Sequence, residues 1–167
     1  VAKSLLIFDE GRYRWHQSVH RYAVERLEAD SNRFERLRDK HADWFAACAQ
    51  NCAARFDGKS ARDALATIAG DRANFEAAWR WAVSRGQTMW LSSLLDGIAG
   101  YLRMRGPAQE GLALIDDALA ALDRLETAPS TFVAQLRVEQ VQLLALQARY
   151  EEALIGAGHV VELGRRI

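Results

Sequence analysis

The sequence predicts an all-α protein made of antiparallel helix pairs, preceded by a short β-hairpin. From residue 17 onward, apolar residues recur at three- and four-residue spacing, as they do on one face of an α-helix. Only two prolines occur in the chain, whereas Ala, Leu, Arg and Glu, which favour helices, are abundant. Residues 4–16 are the only segment with the pattern of β-strands.

The first element is the predicted hairpin. An apolar run at 4–8 is followed by a turn at 9–11 and by a run at 12–16 in which charged and aromatic residues alternate. An isolated hairpin is only marginally stable in water, so we expect this one to pack on the helices that follow it. The side chains expected to make that contact are Leu6, Phe8, Tyr13 and Trp15.

Residues that end or cap helices divide the rest of the chain. Asp30-Ser31-Asn32, Asp57-Gly58, Gly70 and Gly86 interrupt the apolar pattern. Proline is favoured in the first turn of a helix, so Pro107 and Pro129 mark two further helix starts. The predicted helices are 17–29, 33–56, 60–69, 72–85, 88–105, 107–125, 130–149 and 150–166.

Several side chains have a predicted place in the packing. Trp79 and Trp81 lie 200° apart on one helix, so they cannot both face the same core. Cys48 and Cys52 share a helix face and are interpreted as small core residues rather than as a redox pair. The glycines of Gly97-x-x-Gly100 would let two helix backbones approach closely.

Charge and hydropathy exclude several classes of protein. Lys and Arg number 22 and Asp and Glu also number 22, whereas proteins dedicated to nucleic acids or membrane surfaces usually have a basic excess. The longest mainly apolar stretch, 90–102, is too short to span a bilayer. Two cysteines make no disulfide framework, and residues 1–8 do not have the pattern of a signal peptide. We therefore expect a soluble cytoplasmic protein that binds neither membranes nor, by this chain, nucleic acid.

No motif in the sequence supports catalysis. Gly58-Lys59-Ser60 lacks the first glycine and the preceding strand of a phosphate-binding loop. His16 and His20 have the spacing of two metal ligands but no third ligand nearby, so we interpret them as packing or capping residues. The adjacent carboxylates of Glu151-Glu152 point about 100° apart on a helix and are interpreted as solvated. The sequence thus predicts no enzyme, and no catalytic, cofactor or metal site.

Two segments resemble each other at a spacing of 42 residues. Residues 105–112 and 147–154 each join a long helix to a second helix through a tight turn of small residues. Helical hairpins repeated at this period are units of solenoid proteins. The small and aromatic residues of the two copies resemble tetratricopeptide positions, which implies a right-handed superhelix; they are Gly106, Ala118 and Leu119, and Ala148, Tyr150 and Ala153.

Other motifs resemble the bacterial signalling ATPases of the STAND class, which are similar in layout to the maltose-regulon activator family. Residues 11–27 look like the wing and last helix of the winged-helix domain that follows their nucleotide-binding core. Residues 40–45 and the Asn74–Ala82 segment resemble their next helices, and 106–119 resembles the first repeat of their sensor array. The resemblance implies three regions: a winged-helix remnant at 1–30, linking helices at 31–86 and tetratricopeptide-like pairs at 87–167.

The same resemblance implies a non-catalytic sensor arm. Such an arm would bind a protein partner or a small inducer and would bias a neighbouring ATPase domain of the parent chain between two states. ATP is expected only in a domain upstream, because no phosphate loop is present in these residues. The alternatives are a DNA-binding winged-helix fragment, for which 4–29 would hold only the tail, and an all-α enzyme.

The repeat also implies where a partner would bind. In tetratricopeptide-like hairpins the first helix of each pair lines the concave face. An alignment on Gly106 and Ala148 places Leu95, Ile98, Leu102 and Leu144 inward. It places on the binding face the polar residues Ser93, Asp96, Arg103, Gln135 and Gln142.

The last predicted helix has apolar residues that no further helix of this sequence would cover. They are Leu154, Val160, Val161 and Leu163. An uncapped end of a solenoid exposes apolar surface, so we expect the chain to form a homodimer through its C-terminal helix.

Overall fold

The computed structural model describes residues 5–9, 12–125 and 129–166, and these residues are almost all helical. The chain divides into two compact units, 1–39 and 40–167. The sequence analysis instead divides the chain after residues 30 and 86. Helices on both sides of residue 86 share one apolar core, so 40–167 forms a single unit.

The first unit contains a two-stranded antiparallel sheet and the helix that follows it. Strand β1 (Leu6–Asp9) pairs with β2 (Arg12–Trp15), so that Leu6 lies opposite Trp15 and Phe8 opposite Tyr13. Helix α1 (Gln17–Glu28) has no fully buried residue. Helix α2 begins at Ser31, and Asp30 caps it by accepting a hydrogen bond of 3.0 Å from the backbone N–H of Arg33.

One expectation about the hairpin is wrong. Phe8 is 64% exposed, because side chains project from the faces of a sheet and the face that carries Phe8 is largely open to solvent. The side chains of Leu6, Tyr13 and Trp15 and the turn residues 10 and 11 lie outside what the structure describes.

The second unit is a stack of helices joined by short connections. Helix α2 ends at Ala53. The others are α3 (Ala61–Gly70), α4 (Arg72–Arg85), α5 (Thr88–Met104), α6 (Ala108–Leu125), α7 (Ser130–Leu146) and α8 (Tyr150–Gly164). From α3 to α8, each helix packs against the next one. In addition, α3 packs against α5, α4 against α6 and α5 against α7.

The helix boundaries differ most from the predicted ones at the ends of α2 and α7. Both end three residues early, at Ala53 instead of 56 and at Leu146 instead of 149. In α7 the cause is Ala148, whose φ of 58° is left-handed. The backbone N–H of Arg149 then bonds to the carbonyl of Leu144 at 3.0 Å, as in the cap that closes many helices.

One apolar core runs through the second unit. The four leucine and isoleucine positions predicted to face inward are all buried, which confirms that part of the alignment. The rings of Phe45 and Phe75 meet edge to face with centroids 5.0 Å apart and join α2 to α4. Trp79 is buried and donates a hydrogen bond of 3.2 Å from Nε1 to the carbonyl oxygen of Leu114 in α6, whereas Trp81 is partly exposed. The two tryptophans therefore face different surroundings, as their spacing predicts.

Helices α2 and α5 are in close contact at a glycine. A Cβ atom on Gly97 would lie 2.8 Å from the Cβ of Ala49 and 2.8 Å from its carbonyl oxygen. The expected close approach is thus confirmed for Gly97. Gly100 lies one turn further along and makes room for the ring of Phe56.

The remaining predicted features are placed as follows. Cys52 is buried in the core as predicted, and Cys48 is half-buried; both are free thiols. Gly58, Lys59 and Ser60 are exposed in the turn between α2 and α3 and follow a helix instead of a strand. Within the described residues, no helix combines the length and the apolar character that crossing a bilayer requires.

Candidate binding face

Helices α5 and α7 pack side by side and carry all five residues of the predicted binding face. Asp96 and Arg103 on α5, and Gln135 and Gln142 on α7, are exposed. Ser93 is only partly exposed. It lies one turn before Gly97, on the side where α5 approaches α2, and so contributes less to the surface than predicted.

The exposed line on α5 has an apolar member that the sequence analysis missed. Met89, Asp96 and Arg103 are seven residues apart, and seven residues bring a helix back to within about 20° of the same direction. Met89 is 78% exposed, which is unusual for a large apolar side chain. The seven-residue spacing could have revealed it.

An ion pair joins the two helices across this face. Nη1 of Arg103 donates a hydrogen bond to Oε2 of Glu139, whose side chain is 18% exposed. Glu139 lies four residues after Gln135 and three before Gln142, so it continues the polar surface of α7 toward α5. The sequence alone did not reveal Glu139 as part of this face, because its partner Arg103 lies 36 residues away. The only local signal was the spacing of Glu139 from the two glutamines.

The carboxyl group of Asp96 is not fully solvated, although the residue as a whole is exposed. Its partial burial raises the pKa of Asp96 above the usual 3.8, and the positive charge of Arg103 acts in the opposite direction. No hydrogen bond or ion pair joins the Asp96 side chain to another residue in the described part of the chain. Asp96 therefore offers an acceptor that remains available to a ligand.

The exposed line on α7 combines amide and apolar groups. Gln135 and Gln142 flank Val138, which is 38% exposed. A glutamine amide has both donors and an acceptor, so it can bond to the N–H and C=O groups of an extended chain. Two residues seven apart are separated by about 10 Å along a helix, which matches about three residues of extended peptide.

A concave surface lies between α6 and α7. It is a cleft of about 520 Å³, and its polar lining consists of Asp116, Asp123 and Arg137. Nε2 of Gln140 donates to Oδ1 of Asp116 at 2.5 Å, and Arg137 donates to Oε1 of Gln140 at 3.1 Å. Two of the three lining groups, Asp116 and Arg137, are thus bound to Gln140, so the cleft leaves fewer free groups for a ligand than the α5–α7 face.

The candidate metal ligands remain apart from any larger cluster. Nδ1 of His16 lies 2.8 Å from the hydroxyl oxygen of Ser18, and the His16 side chain makes no hydrogen bond to the backbone of α1 that would cap the helix. Across the ranges that the structure describes, no three His, Cys, Asp or Glu side chains are grouped in a way that could hold a metal ion.

Comparisons with protein-family models, with curated proteins and with solved structures gave no match to this chain.

Proposed function

We propose that this chain is a non-catalytic binding arm whose α5–α7 face holds an extended peptide segment. The observation that carries the proposal is the Arg103–Glu139 ion pair. It joins the two helices across this face, while Asp96, Gln135 and Gln142 point away from the core and remain exposed. Peptide-binding solenoids bind their ligands on extended surfaces of this kind, made of equivalent helices.

The finer architecture in this proposal is a right-handed superhelix of tetratricopeptide-like pairs. Its support is the packing of α3 with α5, of α4 with α6 and of α5 with α7, in addition to contacts between consecutive helices. Stacked helix pairs give this order of contacts. In such a stack α5 and α7 are the first helices of adjacent pairs, and both face the same groove.

The charges on this face favour a peptide with a basic side chain. Arg103 is already paired with Glu139, so its positive charge is largely compensated. Asp96 is unpaired among the described residues, and a cation beside its partly buried carboxyl group would gain from a charge-assisted hydrogen bond. Met89 and Val138 supply exposed apolar surface for the neighbouring side chains of the ligand.

The biological setting we propose is that of a sensor arm in a bacterial signalling ATPase or transcriptional regulator. In that setting the arm works in the cytoplasm, and the peptide segment belongs to a protein partner. A ligand in the groove shifts the equilibrium between two states of the neighbouring ATPase domain. The size of the shift equals the difference between the free energies with which the ligand binds the two states. The support for this setting is the order of the winged-helix-like, linking and repeat-like motifs along the chain.

Selection from a phage-displayed library of random peptides tests the proposed binding. We expect the enriched peptides to contain Lys or Arg beside apolar residues. The double variant Asp96→Asn/Arg103→Gln should bind them about tenfold more weakly, a loss of about 1.4 kcal/mol.

The chain offers a closely matched control. Asp117→Asn/Arg124→Gln removes one acidic and one basic exposed residue at the same seven-residue spacing, but on α6. This control should bind the peptides as the unmodified chain does. Failure to enrich any peptide, or equal loss of binding in both double variants, would contradict the proposal.

A further inference from the structure

The outer surface of α8 carries three apolar side chains that are more than half exposed. Leu154 is 76% exposed, Ile155 63% and Val161 55%. Val160 and Leu163, which were expected on the same surface, are half-buried instead. The helix also faces inward, since Ala153 is buried and a Cβ on Gly156 would lie 2.9 Å from Val141 of α7. One side of α8 is thus packed. The opposite side carries these apolar residues together with Glu151 and Glu162, and the described residues leave it uncovered.

Equivalent positions in α6 show what this kind of surface does when it is covered. At the 42-residue spacing of the repeat, Leu154 corresponds to Leu112 and Val161 to Leu119. These two leucines are 5% and 8% exposed, and α6 packs against both α5 and α7. The exposed side of α8 therefore has the character of a helix-packing surface.

Gly158 lies in the middle of this surface. Nothing lies within 4 Å of the position that a Cβ on Gly158 would take, so a second helix can approach the backbone there. Leu154 and Ile155 precede this glycine, and Val161 and the exposed Glu162 follow it. Ile155 and Val161 are each three residues from Gly158, so they would meet across a two-fold axis at this position. Glu151 and Arg165 are each seven residues from it, about 10 Å along the helix axis in opposite directions.

We infer that α8 pairs with α8 of a second copy of this chain, antiparallel and with Gly158 on the two-fold axis. In that arrangement Glu151 lies beside the partner's Arg165, and Arg165 lies beside the partner's Glu151. Both side chains are exposed, and neither makes an ion pair with another described residue, whereas Glu152 is already bound to Arg149. The two-fold symmetry makes each of these contacts occur twice.

A parallel pairing or an offset pairing would lose this complementarity. The acidic residues of α8 lie mainly in its first turn and Arg165 and Arg166 lie just after its end. Parallel helices would thus bring like charges together, which is unfavourable. The charges and the position of the glycine point to the same antiparallel register.

Light scattering and sedimentation over a concentration series test the pairing. The series should extend to about 1 mM, so that a weak dimer is also detected. The unmodified chain should pass from monomer to dimer. Glu151→Lys or Arg165→Glu alone should raise the dissociation constant about tenfold, because each charge reversal acts at two symmetric contacts. The double variant Glu151→Lys/Arg165→Glu should restore the dissociation constant of the unmodified chain.

Two further variants keep the outcome unambiguous. Gly158→Leu should abolish the dimer while circular dichroism shows a folded monomer, since the added side chain points into open space in the monomer. Asp117→Lys reverses an exposed charge on α6 and should leave the dimer unchanged. A chain that stays monomeric throughout the series, or a dimer that none of the α8 variants weakens, would overturn the inference.

Discussion

Gly97 gives a sharp test of the packing that holds α5 against α2. An exposed Gly→Ala substitution inside a helix normally stabilises it by about 1 kcal/mol, because alanine loses less backbone entropy. At Gly97 the new methyl group would lie 2.8 Å from the Cβ of Ala49, 2.8 Å from its carbonyl oxygen and 2.9 Å from its Cα. Carbon atoms in good contact lie about 3.5–4.0 Å apart, so the two helices would have to separate by about 1 Å.

The magnitude follows from these opposing effects. Forcing an extra methyl group into a well-packed core costs about 1–3 kcal/mol, and the helix-propensity gain offsets about 1 kcal/mol of it. The neighbours at Ala49 are backbone and Cβ atoms, which cannot rotate away. We therefore expect Gly97→Ala to lower the free energy of unfolding by about 1 kcal/mol.

Urea unfolding followed by circular dichroism measures this change. The matched control is Gly158→Ala in α8, where nothing lies within 4 Å of the new methyl group and the substitution should stabilise by up to about 1 kcal/mol. Dilute protein keeps the control monomeric. If Gly97→Ala stabilises the chain as much as Gly158→Ala does, the close contact between α2 and α5 is wrong.

Three further predictions concern single side chains. Trp79→Phe should lower the free energy of unfolding by about 1–2 kcal/mol in urea unfolding, because it leaves the Leu114 carbonyl without its indole donor; an unchanged midpoint would contradict the 3.2 Å hydrogen bond. Cys52 should react with a thiol reagent only upon unfolding, because it is 1% exposed and burial raises the pKa of its thiol to about 11; Cys52→Ala would then leave the reactivity of the native chain unchanged. Burial raises the pKa of Asp96 above the usual 3.8. The stability that its protonated carboxyl group contributes is therefore fully present below pH 3.8 and is lost as the pH rises through the raised pKa. In thermal unfolding, Asp96→Asn should therefore raise the stability of the chain more at neutral pH than at acid pH. An equal effect at both pH values would contradict this sign.

The sequence predicts the helices and their inward faces well, because both depend on local periodicity. Leu95, Ile98 and Leu102 recur at three- and four-residue spacing, and all three are buried. The end of α7 was misplaced because Ala148 takes a left-handed conformation that its residue type does not favour. Spacing alone could not show this.

Contacts between distant helices were harder to predict. Glu139 belongs to the candidate face through Arg103, which lies on another helix, so only the packing of α5 against α7 brings the two together. The cleft beside Asp116 and Asp123 was missed for the same reason, since α6 and α7 form it jointly. Asp96, Gln135 and Gln142 could be found because the repeat alignment assigns helix faces without requiring any contact.

Nuclear magnetic resonance tests most directly whether the α5–α7 face binds an extended peptide. The measurement is the change in backbone and side-chain amide shifts of the labelled chain when a selected peptide is added. Binding on the α5–α7 face should cause the largest changes at Asp96, Arg103 and the side-chain amides of Gln135 and Gln142. Changes centred instead on Asp116 and Asp123 would place the ligand in the α6–α7 cleft and would contradict the account.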